Sequence, residues 1–344
     1  MTGQVVRILV HRIWTGALVL LGAVTLTFFA LRLAPGNPVD TLLGAQTSAS
    51  PRVRAQIAAD LGLDQPVWRQ YLHTVLRPLT GDLGRSYQLQ EDVKSLLLSQ
   101  LRPTAELALC ALVPAVLVAV LAATSTAGRG RFVRAAVSGA ELLAVSLPPF
   151  WLGLLLITAF AFRLHIFPVA GDHGAASLVL PALSLAVPMA GELGQVLRGN
   201  LDRTLEQPFV ATLRARGLSE PGLRVRHALR HGSLATVTMT SWMLGTLFSG
   251  TVLVETLFAR PGIGRITVNA VTTKDFPVVS AVVLLAAVLF VVINLVVDLL
   301  YLVLDPRLRA PRARPVRTPA LAPASVAVSG AVVADAEPVG KGTP

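Results

Sequence analysis

The chain of 344 residues is 53% hydrophobic and 14% charged, with a net charge of +11. Soluble domains hold about 25% charged residues, so the shortfall excludes an ordinary water-covered surface and points to a polytopic membrane protein. The lone cysteine, Cys110, excludes an internal disulfide and a thiolate metal cage and is read as a small core residue.

Six stretches contain no Asp, Glu, Lys or Arg: Ile13–Leu31, Leu107–Gly128, Leu142–Phe162, Ala175–Gly191, Gly232–Val254 and Phe276–Val297, each 17 to 23 residues long. A helix rising 1.5 Å per residue crosses the hydrocarbon with about 20 residues. The pattern therefore predicts an all-α membrane protein with six transmembrane helices. A soluble helical core would need polar residues every three or four positions to meet water.

The first run follows Arg7 and Arg12, as a secretory signal does, but its 19 residues exceed the ~7–15 of a signal's apolar region. It is read as a retained helix, so residues 1–34 form the N-terminus and the first span. Residues 35–102 are too patterned for a loop. Ser50-Pro51 suits an N-cap with proline at the first helical position, and Val53, Ile57 and Leu61 follow at helical spacing before Gly62. Val67, Tyr71, Leu72, Val75 and Leu76 share a second face, and Val93, Leu96 and Leu97 lead into the second span. The segment is expected to be a small helical extracytoplasmic cap.

Residues 103–310 hold the remaining five spans. They are joined by a basic turn (Ala127–Arg134), an outer loop (His165–Ala175), an inner segment (198–232) and an outer loop containing Ala259-Arg260-Pro261-Gly262-Ile263-Gly264. Residues 311–344 are Ala, Pro, Val and Ser with few large side chains, a composition expected to stay disordered. Arginine sets the orientation. Arg129, Arg131 and Arg134, seven arginines from Arg198 to Arg230 and five from Arg307 to Arg317 fall on the side of the N-terminus. Basic residues retained on the cytoplasmic side place both termini inside. The positive charge thus belongs to topology and not to nucleic acid.

Motifs for catalysis are missing. No G-x-x-x-x-G-K-[ST] nucleotide cradle occurs, nor H-E-x-x-H, nor G-x-S-x-G. His227 and His231 have metal-ligand spacing, but Arg224, Arg226 and Arg230 around them disfavour a cation. Acidic residues flank the apolar runs: Glu106, Glu141, Glu192, Glu255 and Asp298. A charge in hydrocarbon costs at least ~2.5 kcal/mol, so such groups end a helix at the interface or face an interior path. Ser146, Pro148 and Pro149 follow Glu141, and paired prolines free carbonyls that only protein or water can satisfy. Glu141, Ser146, Pro148, Pro149 and Glu255 are the candidate pathway-lining residues.

In the inner segment, Glu206-Gln207-Pro208 can start a helix with Phe209, Leu213 and Leu218 on one face. Gly217 can end it in the left-handed conformation. A short basic amphipathic helix of this kind lies on anionic lipid or docks into a partner's groove; composition leaves both open.

The segment Phe209-Val210-Ala211-Thr212-Leu213-Arg214-Ala215-Arg216-Gly217-Leu218 resembles the EAA loop of ABC importer permeases of the dipeptide and oligopeptide type. The similarity extends to Leu31-Arg32-Leu33-Ala34-Pro35-Gly36-Asn37-Pro38, Leu61-Gly62-Leu63-Asp64-Gln65-Pro66, Gly81-Asp82-Leu83-Gly84, Val254-Glu255-Thr256-Leu257-Phe258, Pro261-Gly262-Ile263-Gly264 and Asp305-Pro306-Arg307. It covers residues 5 to 310. The resemblance implies the type I ABC importer permease fold. It also implies a coupling helix to a separate ATPase, formed here by Ala211, Thr212, Leu213, Arg214, Ala215, Arg216, Gly217 and Leu218.

The implied partners are a second homologous permease, two ATP-binding subunits and an extracytoplasmic peptide-binding protein. ATP and Mg would bind those ATPase subunits, and this chain would hold no cofactor or metal. Ala211 and Leu213 stand where the family pattern has basic and small residues. Gln195 and Ala235 stand where it has an arginine and a proline. An ATP-independent secondary transporter or channel would need mid-membrane acidic relays or inverted repeats. A membrane enzyme would need a clustered nucleophile, base or metal set. The sequence carries neither.

Overall fold

The computed structural model describes residues 2–36, 38–43, 50–172 and 174–304. The tail from 311, Asn37 and the Asp305-Pro306-Arg307 motif lie outside these. Among the described residues every regular element is helical, apart from a single bridge between Arg85 and Asp92.

The first apolar run sits in α1 (Thr2–Leu33). The outer segment folds as α2 (Pro38–Leu43), α3 (Pro51–Asp60) and α4 (Val67–Leu76), with a tight turn at Arg77–Thr80. The Ser50 side chain accepts the Val53 N–H and proline occupies the first turn of α3, as its sequence predicts. The third of these runs opens α5 (Val93–Thr126), a 34-residue helix that continues into the second span. Asp92 caps its start by accepting from Ser95 N–H at 3.2 Å.

The third run is not one straight helix. It divides into α6 (Arg131–Ser146) and α7 (Pro149–Leu156), the latter extended by wider turns to Arg163, and the two arms meet at 97°. Pro148 and Pro149 lack the N–H groups that would continue α6. Leu147, preceding a proline, is forced into extended backbone (φ −85°, ψ 115°). The fourth run lies in α8 (Ala176–Leu205), whose C-terminal end leads to α9 (Pro208–Ala215) and the short α10 (Glu220–Gly222). Then come α11 (Leu229–Leu257), α12 (Ile263–Thr272) and α13 (Phe276–Leu304). Segments of α1, α5, α8 and α13 are long and apolar enough to span a bilayer, and the α6–α7 pair qualifies as one broken span. The 29 residues of α11 contain the fifth run and extend about 43 Å, also enough to cross.

Helix α8 is the hub, packed against α5, α6, α7 and α11. On α5, Leu107, Ala111, Ala115, Ala119 and Ala123 form a buried stripe at four-residue intervals. Small side chains let helix backbones approach closely where no hydrophobic effect drives them together. The opposite side of α5 exposes Leu109, Val113, Leu117 and Leu121, as a lipid-facing surface does. Cys110 lies on that exposed side, which corrects its reading as a core residue. An apolar sequence does not say which side of a helix meets lipid.

Candidate functional site

At the C-terminal end of α8, α9 rests on the bundle through a few apolar contacts. Val210 is 1% exposed. It joins Leu201, Leu205, Leu223, Ala123 and Ala127 in one cluster, with Leu213 packed against it. The buried face is therefore Val210–Leu213, with Phe209 outward and 38% exposed; spacings of three and four residues are equally helical, and the sequence favoured the wrong one. Gly217 has φ +83°. Its N–H reaches Arg214 O at 2.9 Å and the Leu218 N–H reaches Leu213 O at 3.3 Å. This paired closure is the Schellman motif, which requires a left-handed residue at the turn. Ala211, Thr212, Arg214, Ala215 and Arg216 remain exposed on the outer surface of α9, and Leu218 is half-buried.

Arg214 Nε donates to Glu220 at 2.7 Å, tying α9 to α10. That hydrogen bond holds the Glu220 carboxyl below the usual carboxylate range. Behind them Arg224 is buried, 3.6 Å from the other Glu220 oxygen.

Above this segment α6 is locked to α8. Arg198 Nη2 lies 2.6 Å from Glu141 Oε2 and donates to Ser138 Oγ at 2.8 Å, with both charged side chains under a tenth exposed. The approach is possible because α8 presents glycine there. A Cβ on Gly191 would sit 2.8 Å from the Glu141 carbonyl oxygen, and one on Gly194 would sit 2.8 Å from Glu141 Oε1. Asp202, one turn further along α8, accepts from the Gly128 N–H at 2.9 Å and pairs with Arg134 at 3.6 Å. Arg198 stands one turn beyond Gln195, the position at which the family resemblance implies an arginine.

At the opposite end of the bundle, Glu255 is fully buried. Its carboxylate accepts from Thr104 Oγ1 at 2.7 Å, from the Gly264 N–H at 2.8 Å and from the Arg265 N–H at 3.2 Å. Thr104 accepts in turn from the Ile263 N–H at 2.8 Å. These N–H groups are the open first turn of α12, so Glu255 joins α5 and α11 to the positive end of a third helix. A Cβ on Gly262 would fall 2.2 Å from that carboxylate, and one on Gly264 2.4 Å from Val252 Cα. The Pro261-Gly262-Ile263-Gly264 motif is thus a close-approach device. Arg260, 1% exposed, donates to Ser177 Oγ at 3.1 Å and pairs with Asp172 at 3.3 Å, pinning the same loop to the start of α8.

A second buried carboxylate, Asp275, fastens the cap. It accepts from Ser86 Oγ at 2.5 Å, Tyr87 N–H at 3.1 Å and Gln88 N–H at 3.3 Å. Burial, then the nearby Asp275 charge, pushes the Tyr87 hydroxyl up to about 12. A cavity of about 390 Å³ lies between α1, the cap and α13, with Leu61, Gly62, Leu63 and Gln65 of the cap motif in its wall.

Of the candidate pathway residues, Glu141 and Glu255 are buried within this chain and engaged by its own groups. Ser146 and Pro148 are exposed at the bend and Pro149 is half-buried. Arg198, Thr104, Arg260 and Asp275 were not singled out from sequence; a charge near an apolar run was the signal for the three ionisable residues, and Thr104 had none. Among the described residues no cluster of His, Cys, Asp or Glu could hold a metal ion.

The family described as "Binding-protein-dependent transport system inner membrane component" matches residues 115–310, and its N-terminal counterpart matches residues 5–108. The dipeptide transport system permease protein DppB of Escherichia coli (strain K12) is 32% identical over 321 residues, covering 84% of this chain and 94% of its own. A putative peptide transport system permease protein of Brucella abortus (strain 2308) is 34% identical over 300 residues, covering 85% and 95%. An inward-facing form of the MetNI methionine ABC transporter aligns with 61% of this chain and 96% of its own, at a TM-score of 0.47 and 18% identity.

Proposed function

This chain belongs to the binding-protein-dependent transport system inner membrane components, and we propose that it is the permease subunit of an ATP-driven importer of di- and oligopeptides. It is a multi-pass inner-membrane transport subunit by family. The relatives' names supply the peptide cargo. They give no support to an ATP-independent transporter or channel.

In this reading both termini are cytoplasmic, and α9 is the coupling helix to a separate ATPase. The observation that carries it is the build of α9. Its base, Val210 and Leu213, is sunk in the bundle, its end is closed at Gly217, and its mixed outer surface of Phe209, Thr212, Arg214 and Arg216 is exposed. A helix anchored on one side and open on the other suits docking into a partner's cleft. Movement of α9 would pass to α8 and, through Glu141–Arg198, to α6 and the bend at Pro148–Pro149. Ser146, Pro148 and Pro149 line the pathway, with Glu141 and Glu255 fixing the walls behind it. A second, similar permease supplies the other wall, two ATPase subunits bind ATP and Mg, and a binding protein delivers peptide to the outer cap.

Gentle detergent extraction of the tagged chain, followed by mass spectrometry, tests this. A second permease and P-loop ATPases in stoichiometric amount are the expected companions. A chain that purifies alone and transports in vesicles without ATP overturns the assignment.

A further inference from the structure

Helix α4, expected to be part of the extracytoplasmic cap, packs along α1 beside the apolar run of that helix. Tyr71 Oη lies 2.9 Å from Thr25 Oγ1, and its ring meets Phe28 and Phe29 at 5.5 and 6.2 Å. Thr25 is seven residues inside Arg32, the first charge beyond the apolar run of α1. That is about 10 Å along the helix. The tyrosine side chain spans part of this distance, leaving the axis of α4 near the boundary between headgroups and acyl chains.

The predicted single apolar face of α4 is divided between two neighbours. Tyr71 turns to α1, whereas Trp68, Leu72 and Leu76 turn away at four-residue intervals and Leu79 follows in the next turn. These four are 58%, 42%, 53% and 79% exposed. A contiguous stripe of large apolar side chains does not remain in water without a partner. It adjoins the lipid-facing surface of α1, where Leu26, Phe29 and Leu33 are likewise exposed. The edge of the stripe is polar and basic. Arg69 lies 5.2 Å from the centre of the Trp68 ring, and His73 is exposed beside it. Tryptophan with flanking cations is the composition of a helix lying in the membrane interface.

We infer that α4 is an in-plane membrane anchor, with Trp68, Leu72, Leu76 and Leu79 seated among the acyl chains of the outer leaflet and Arg69 at phosphate level. The leaflet rests on the outer placement of residues 35–102 in the proposed topology. The cap is then held with one edge in lipid, and only its remaining surface meets soluble partners.

The test uses the whole complex in bilayers of phosphatidylethanolamine and phosphatidylglycerol. Single cysteines (Leu72→Cys, Leu76→Cys, Leu79→Cys) are placed in a Cys110→Ala background and spin-labelled. Leu26→Cys is the lipid control and Val53→Cys the water control. Collision with oxygen should exceed collision with a water-soluble nickel chelate at the three stripe positions, as at Leu26→Cys and in contrast to Val53→Cys. Nickel access matching Val53→Cys at all three overturns the inference. So does nickel access lost only when the binding protein is added, which would make the stripe a protein-docking surface. An impermeant thiol reagent applied outside intact cells checks the topology separately. If it fails to reach Val53→Cys, the orientation is wrong, while the collision data still report whether α4 lies in lipid.

Discussion

Glu255 at one end of the bundle and Glu220 at the other are both hydrogen-bonded carboxylates, yet their surroundings differ completely. Glu255 has no exposed surface and is satisfied by a hydroxyl and two backbone N–H groups from other elements. Glu220 is 45% exposed and holds an arginine that is 47% exposed. A buried, fully satisfied charge fixes elements rigidly, because withdrawing any one donor strands the rest. An exposed pair contributes about 0–1 kcal/mol and reforms freely. The Glu255 end is thus built to hold its shape, and the Glu220 end is free to adjust.

The strongest challenge to that contrast is Glu255→Ala. It strands Thr104 and the first turn of α12, buried donors whose loss of a partner costs about 1–3 kcal/mol each, seen as a large drop in the melting temperature of the solubilised complex. An unchanged melting temperature would mean the Glu255 knot does not hold the bundle. Gly264→Ala should follow at about 1–3 kcal/mol, because the added methyl meets Val252 backbone and not a movable side chain; the same melting experiment reads it.

Gly217→Val is a gentler probe of the Glu220 end. Nothing lies within 4 Å of a Cβ there, so the penalty is the left-handed backbone alone, about 1–2 kcal/mol. Membrane insertion should be normal while peptide uptake is lost; full uptake would remove α9 from the coupling role.

The smallest effect belongs to Glu220→Gln, at most about 1 kcal/mol. Because Arg214 holds the folded carboxyl below its ordinary 4.5, the pair's contribution is complete above that pH. It fades as pH falls through the lower folded value. The melting difference between wild type and Glu220→Gln should therefore be flat near neutrality and vanish in acid. A difference that grows in acid would contradict the assigned pairing.

The sequence made some of this legible. The six apolar runs, the Ser50-Pro51 helix start, the break at Pro148-Pro149 and the left-handed Gly217 are local features, each dictated by backbone chemistry within a few residues. The ties across the bundle were not legible. Arg198 meets Glu141, Asp275 meets Ser86 and Glu255 meets Thr104 across long stretches of chain, and periodicity carries no information about such partners. Helix faces were the intermediate case. Val210 replaced Phe209 as the buried residue of α9, and α4 divided its apolar side chains between α1 and the outside, because a short helix offers several near-equal stripes.

The Glu141–Arg198 pair also sets a constraint on how the protein is made. Arg198 follows Glu141 by 57 residues (198 minus 141), which at ~5–20 residues per second is a delay of about 3 to 11 s. During that interval Glu141 has no counter-charge, and an isolated carboxylate is poorly tolerated inside a bilayer. The tie that holds α6 against α8 therefore closes only after the fourth apolar run has been made.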